Sequence, residues 1–366
     1  MADNSISFLD VCKDVTKTAT KIPTTDYLPI GKYKIFDQGK DYIGGFRDSA
    51  IGLASDVPYI LFGDHTRIIK YIDEPCFIGA DGVKLLKVKD SRYTSKYIYY
   101  AMKAQPIESQ GYARHFKFLK EQFYRYTTIE KQQRIVAELD NIEEGIRVKE
   151  EQLKALDELI QSRFTEIFGN IHTNKFGWSI KKIEEIATCI AGATPSTLKE
   201  EYWEGGTIPW LSSGEVHKGR IFDTDKKITE SGYNNCSTKL IPAHTVVLAL
   251  AGQGKTRGTV AVAEIRLCTN QSICSLVTNK SINTDYLYYY LKSQYEALRD
   301  ASNGAGGRGG LNLKIVGQFK ILLPPLPLQN QFAEFVQKVE SAKEIVKIQI
   351  KDLQELLALK MDEYFK

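Results

Sequence analysis

Residues 135–167 read IVAELDNIEEGIRVKEEQLKALDELIQSRFTEI, and residues 332–364 read FAEFVQKVESAKEIVKIQIKDLQELLALKMDEY. In the first stretch Ile135, Leu139, Ile142, Ile146, Leu153, Leu156, Ile160 and Ile167 recur at alternating steps of four and three, with Lys149 and Arg163 filling the two gaps. The second carries Phe332, Val336, Val339, Lys343, Val346, Ile350, Leu353, Leu357, Lys360 and Tyr364, each 197 residues after its counterpart. A 3.5-residue repeat held this long specifies a coiled-coil seam rather than one buried helix face. The only Gly or Pro in either stretch is Gly145, which lies off the seam. Neither stripe can be buried alone, so the two helices pair most economically with each other. An antiparallel pair fits the connectivity: the first helix must deliver the chain to whatever lies between, and the second must run back. From 135 to 167 the axis is roughly 48 Å at 1.5 Å per residue. A seam does not name its partner, and dimerisation through either stripe is the alternative.

The repeat extends outward from the helices, and internal self-similarity decides architecture. Phe8-x-x-Val11-x-x-x-Val15 matches Ile183-x-x-Ile186-x-x-x-Ile190, an offset of 175. Tyr97-Ile98-Tyr99-Tyr100-Ala101-Met102-Lys103 matches Tyr286-Leu287-Tyr288-Tyr289-Tyr290-Leu291-Lys292, an offset of 189. Ile129 to Ile135 matches Leu326 to Phe332 at 197. The growing offset places insertions in the second globule. The chain therefore reads as two α+β globules in tandem, residues 1–125 and 175–325, separated by long helices over 126–174 and 326–366 and related by an approximate two-fold axis. Val57–Phe62 and Thr245–Ala251, rich in β-branched residues and bounded by turn formers, predict strands. The tyrosine clusters predict short helices, their rings core rather than base-stacking platforms.

Composition bounds the function. The chain has 366 residues, 43% hydrophobic and 26% charged, as a globular protein does. No apolar run approaches the roughly 20 residues of a membrane span, and the N-terminus has no signal-peptide pattern. Six scattered cysteines without C-x-x-C spacing or paired histidines make a zinc site a poor expectation and fit a cytoplasmic protein. The net charge of +4 is unevenly spread: +4 and +5 over the two globules, −4 and −1 over the two helices. Basic globules can neutralise phosphates, although a few charges per segment can also be chance.

Several stretches resemble one family. Pro324-Pro325-Leu326-Pro327-Leu328-Gln329 is similar to the L-P-P-L-x-x-Q entry to the long helices of type I restriction-modification specificity subunits. Gly192-Ala193-Thr194-Pro195-Ser196 and Tyr202-Trp203-Glu204-Gly205-Gly206-Thr207-Ile208-Pro209-Trp210-Leu211 resemble the start of that family's target recognition domain. Asn270-Gln271-Ser272-Ile273 and Gly309-Gly310-Leu311-Asn312 fall where similar stretches occur, as do residues 58–67 and Phe77-Ile78-Gly79-Ala80-Asp81-Gly82 in the first half. The first half departs from the pattern: it lacks Gly-x-Thr-Pro and Pro-Trp, and Tyr126-Thr127-Thr128 replaces the di-proline. The resemblance implies a sequence-reading subunit whose two target domains recognise different half-sites of double-stranded DNA. It implies helices that space the domains and dock methyltransferase (M) and restriction (R) subunits, with S-adenosylmethionine, ATP and Mg held by those partners and no cofactor in this chain. A coiled-coil adaptor without DNA specificity is the competing class.

The nearest approach to an enzyme motif is Leu248-Ala249-Leu250-Ala251-Gly252-Gln253-Gly254-Lys255-Thr256. A P-loop needs Gly at the position of Ala249, and a helix afterwards; here Gly258 to Ala263 reads as another strand. The stretch is better read as a turn presenting Gln253, Lys255, Thr256 and Arg257 to base edges and phosphates. In the first half Asp64-His65-Thr66-Arg67 takes the equivalent place, with His65, Thr66 and Arg67 as candidate DNA contacts; a catalytic Asp-His pair lacks any nucleophile beside it. Arg308, in the glycine-rich run 303–310, is a candidate phosphate contact, and Trp210, Ser212 and Asn312 are further candidates for the reading surface. For every one of these loops a solvated turn is the alternative. Methyltransferase, dinucleotide-binding and nuclease motifs are not recognisable, so no catalytic or metal-binding residues are assigned. The target sequence, its gap and the methylated bases are not written in one chain.

Overall fold

The computed structural model describes residues 5–111, 113–170, 173–252, 254–302 and 310–365. The chain divides into two compact units, Met1–Glu151 with Val346–Lys366, and Gln152–Ile345. The two long helices, Ile129–Phe168 and Leu326–Phe365, each contribute to both.

The first unit is built on a four-stranded sheet ordered Cys12–Asp14, Val83–Val88, Tyr59–Gly63, Ile69–Ile72. A second sheet is ordered Lys21–Ile22, Phe77–Gly79, Tyr33–Phe36, Gly45–Arg47. A two-stranded ribbon, Ser5–Ser7 against Phe123–Arg125, brings the ends of the globule together. The second unit repeats this plan. Its main sheet is ordered Ala187–Ala191, Ile273–Thr278, Thr245–Ala249, Val260–Ala263, with Arg220–Ile221 added at the edge. Its second sheet pairs Ile208–Leu211 antiparallel to Lys226–Ile228 and parallel to Cys268–Thr269, as Tyr33–Phe36 pairs with Gly45–Arg47 and Phe77–Gly79. Its ribbon is Ser179–Lys182 against Lys320–Leu323. The strand predicted over 57–62 begins at Tyr59, because Pro58 has no N–H to give a ladder. The strand predicted to end at Ala251 ends at Ala249, where the hairpin turns.

In each unit the long helices run antiparallel against one another. In the first, Tyr364 and Lys360 reach Glu138, and Leu353 lies 3.4 Å from where a Cβ on Gly145 would stand. In the second, Lys343 pairs with Asp157 at 2.8 Å, and the Phe164 and Phe332 rings meet edge-on at 5.4 Å. The seam residues Ile135, Leu139, Ile160, Phe332 and Val336 are buried.

The tyrosine clusters form helices Ser95–Lys103 and Thr284–Ser293, with Tyr97, Tyr100, Tyr286 and Tyr289 buried. Their hydroxyls explain the repeat: each docks the helix onto equivalent positions 197 apart. Tyr97 donates to the Arg125 carbonyl at 3.0 Å and Tyr286 to the Leu322 carbonyl at 2.7 Å. Tyr100 donates to Asp140 and Glu143, and Tyr289 to Glu340. Burial and the adjoining Asp140 carboxylate push the Tyr100 hydroxyl well above the ordinary tyrosine range. The conserved spacing of Gln132 and Gln329 has the same origin. Gln132 is fully buried; it accepts from the Thr94 N–H and donates to the carbonyls of Arg92 and Thr127, at 2.8, 2.8 and 2.9 Å. Gln329 accepts from the Asn283 N–H at 2.8 Å and donates to the Pro324 carbonyl at 2.7 Å. Each glutamine ties the start of a long helix to the start of a tyrosine helix. Gln329→Met keeps the bulk but strands both main-chain groups, and is expected to cost about 1–3 kcal/mol, measurable as a lowered denaturation midpoint.

Candidate nucleic-acid interface

The loops that follow the central strands stand at equivalent places in the two units but differ in length and construction. In the first, residues 64–68 join Tyr59–Gly63 to Ile69–Ile72; in the second, residues 250–259 join Thr245–Ala249 to Val260–Ala263. The extra loop length and the added Arg220–Ile221 strand account for part of the longer second half.

The short loop is pinned from beneath. Asp64 is 5% exposed, and its carboxylate accepts from the Phe116 N–H at 2.8 Å. Its carbonyl accepts from the main-chain N–H of His115, and lies 3.0 Å from the His115 Nδ1. The Gln110 N–H donates to Nε2 of His115 at 3.1 Å, so Nδ1 carries the proton and the buried ring is a fixed strut. Asp64 therefore ties the loop to residues 115 and 116. Thr66 is exposed, while His65 and Arg67 are half-buried. Arg67, at φ 63°, reaches the Ile107 carbonyl at 3.4 Å.

The longer loop is closed at its neck by Gly258 N–H to Ala249 O and Ala249 N–H to Thr259 O, both 2.9 Å. A helix absent from the sequence reading, Tyr295–Ala301, holds its outer part. Arg299 donates to the Gly254 carbonyl at 2.9 Å and to the Arg257 carbonyl at 3.4 Å, and the Tyr295 hydroxyl donates to the Lys255 carbonyl at 2.9 Å. Gly258, at φ 87°, leaves room for the Arg299 stem. Lys255 is exposed, and Thr256 and Arg257 are half-buried. The loop leads into a strand, not a helix, as the departure from a P-loop required. Gln253 and Arg308 lie outside the described residues.

Hydrogen bonds gather the other candidates at the same end of the second unit: Leu250 N–H to Ser272 O, Asn270 N–H to Leu211 O and Leu311 N–H to Leu250 O. Three of them are committed to the fold. Trp210 is 5% exposed, donates to the Ala193 carbonyl at 3.0 Å and meets Trp203 edge-on. Ser212 gives its N–H and hydroxyl to Glu215. Asn312 caps the helix Leu313–Gln318 by accepting from Ile315 N–H at 2.9 Å. Burial works against the charge of Glu215, but the Asp225 N–H, Lys218 and Ser212 outweigh it and hold its carboxyl below the ordinary glutamate value. These side chains brace the surface. Among the described residues no group of three or more His, Cys, Asp or Glu side chains could hold a metal ion, and no helix is long and apolar enough to cross a membrane.

Residues 176–355 match the model of the type I restriction modification DNA specificity domain. Over 354 residues the chain is 24% identical to the specificity subunit of the Escherichia coli type I restriction enzyme EcoR124I/EcoR124II, covering 91% of this chain and 85% of that one. The fold is similar to the type I restriction-modification S subunit from M. genitalium, with a TM-score of 0.63 at 16% identity over 99% of this chain and 96% of that one. It is also similar to a chain solved in work on complex assembly and conformational transition of the type I R-M system, with a TM-score of 0.55 at 17% identity over 99% and 97%.

Proposed function

This chain belongs to the type I restriction-modification specificity subunits, and from that premise we propose how it divides the labour of reading DNA. It is the non-catalytic DNA-recognition component of such a system. The observation that carries the reading is the duplicated fold bearing two unlike loops, residues 64–68 and 250–259, at equivalent places. One scaffold with two different reading edges suits a bipartite, asymmetric target; an adaptor would have no use for that difference. Residues 1–125 and 175–325 act as the two target recognition domains, and the helices over 126–174 and 326–366 as spacers. Methyltransferase subunits supply S-adenosylmethionine and the reacting pocket, and restriction subunits supply ATP- and Mg-dependent cleavage. The assembly works in the cytoplasm, where the host DNA lies. His65, Thr66 and Arg67 face the first half-site; Lys255, Thr256 and Arg257 face the second.

The test is methylation and binding by the assembled chain and its cognate methyltransferase at several salt concentrations. The chain alone is expected to leave DNA unmodified; turnover of S-adenosylmethionine by it alone would sink the reading. Lys255→Ala should weaken all sequences alike and reduce the salt slope by about one unit. Arg257→Ala should relax a single position of the second half-site by about 1–3 kcal/mol. If neither variant changes affinity or discrimination, the loop is a solvated turn and contact lies elsewhere on this end.

A further inference from the structure

A cleft of about 450 Å³ lined by Arg67 is largely apolar and opens onto the tyrosine helix, but a second one in the first unit, of about 410 Å³, is polar and lies beside the start of the 64–68 loop. Its walls include Lys21, Gln38, His65, Asp81, Gly82, Lys84 and Arg114. Gln38 follows the strand Tyr33–Phe36, two residues past its end, and is half-buried. Its Oε1 accepts from the His65 N–H at 3.2 Å, which orients the carboxamide. That bond uses one of two lone pairs on the oxygen, and the amide nitrogen donates to no described residue. Gly82, at φ 59°, a conformation that L side chains rarely adopt, lies close to this amide: a Cβ would stand 2.5 Å from the Gln38 Nε2, 2.7 Å from its Oε1 and 2.7 Å from the His65 ring. The backbone thus makes way for an oriented amide presenting an acceptor and a donor side by side.

We propose that Gln38 is a specificity-determining residue that reads adenine in the first half-site, with Lys21, Lys84 and Arg114 on the flanking phosphates. This rests on the DNA-reading function above and names one base contact within it. A carboxamide matches the adenine major-groove edge bidentately, accepting from N6–H and donating to N7. A bare phosphate is the poorer occupant: it would use only the donor, and the exposed Asp81 carboxylate on the same rim would repel it. The His65 N–H fixes which amide atom faces which way, so the pair is set before DNA arrives.

The experiment separates reading from support. Gln38→Glu keeps the oxygen that receives the His65 N–H but loses the donor, and a carboxylate prefers the cytosine N4 amine. With the methyltransferase complex, binding is measured on the matched target and on every single substitution in both half-sites. Gln38→Glu is expected to lose at least tenfold at one adenine of the first half-site, gain at cytosine there, and leave the second half-site unchanged. Gln38→Ala should flatten preference at that same position. If Gln38→Glu keeps the wild-type preference while Gln38→Ala weakens all targets together, the glutamine merely supports His65 and the proposal is overturned. If both variants leave every position unchanged while the wild-type complex discriminates normally, the proposal fails and the DNA-reading function stands. A wild-type complex that discriminates no sequence at all overturns both.

Discussion

Replacing residues 1–125 by the matching globule of another specificity subunit is expected to exchange the first half of the DNA target entirely and leave the second half as it was. The boundary is physically sound: the ribbon Ser5–Ser7 with Phe123–Arg125 closes the globule where the first long helix is about to begin. The grip of that helix on the globule is largely generic. Gln132 binds main-chain atoms of residues 92, 94 and 127, which any sequence presents. An incoming globule must still supply an apolar face for Ile135 and Leu139, a tyrosine to meet Asp140 and Glu143 as Tyr100 does, lysines for Asp140 and Glu143 as Lys96 and Lys103 supply, and an aromatic face for Phe365 as Tyr97 offers at 5.1 Å. Specific sites are typically bound about 10³–10⁷ times more tightly than nonspecific DNA, so the old first half-site should drop to background. Mapping methylated positions across a host genome carrying the chimera reads both halves at once. Alteration of both halves, or of neither, would contradict independent reading.

The architecture was legible because it rests on periodicities. A 3.5-residue stripe, and a repeat that places Gln132 and Gln329 at one offset, survive in sequence whatever surrounds them. The tyrosine clusters were legible as core for the same reason, being at helical spacing. The candidate reading surface was less so, because it is assembled by contacts between residues far apart in sequence. Nothing local marks Trp210 as sealed onto Ala193, or Asn312 as a helix cap, although Asn312 stands directly before a helix and an N-cap was a readable possibility. Arg299 acts on a loop 42 to 45 residues away, and Gln38 on His65 27 residues away, through strand order rather than sequence neighbourhood. Gly82 was quoted within a resembling stretch, but its reason, the amide and ring packed where a Cβ would be, exists only in three dimensions.

Lengthening both long helices by four residues, after Glu151 in one and after Ile345 in the other, is expected to move the target rather than destroy recognition. Each insertion falls at the division between the two units, so the contacts inside each are kept: Glu138 with Lys360 and Tyr364 in the first, Asp157 with Lys343 and Phe164 with Phe332 in the second. Four residues add about 6 Å at 1.5 Å per residue, and a four-residue insertion into a heptad series is a stutter that the seam absorbs by local unwinding. Along DNA, 6 Å is between one and two base pairs at about 3.4 Å each. The complex should then ignore its original target and methylate one with the same half-sites and a gap longer by one or two base pairs. The two helices must grow together: lengthening one alone leaves its partner four residues short, and the seam pays by unwinding or looping out. Methylation assays on duplexes that keep both half-sites and step the gap one base pair at a time give the answer. An unchanged gap preference in the doubly lengthened protein would show that the helices do not set the spacing, and the role assigned to them as a ruler would be wrong.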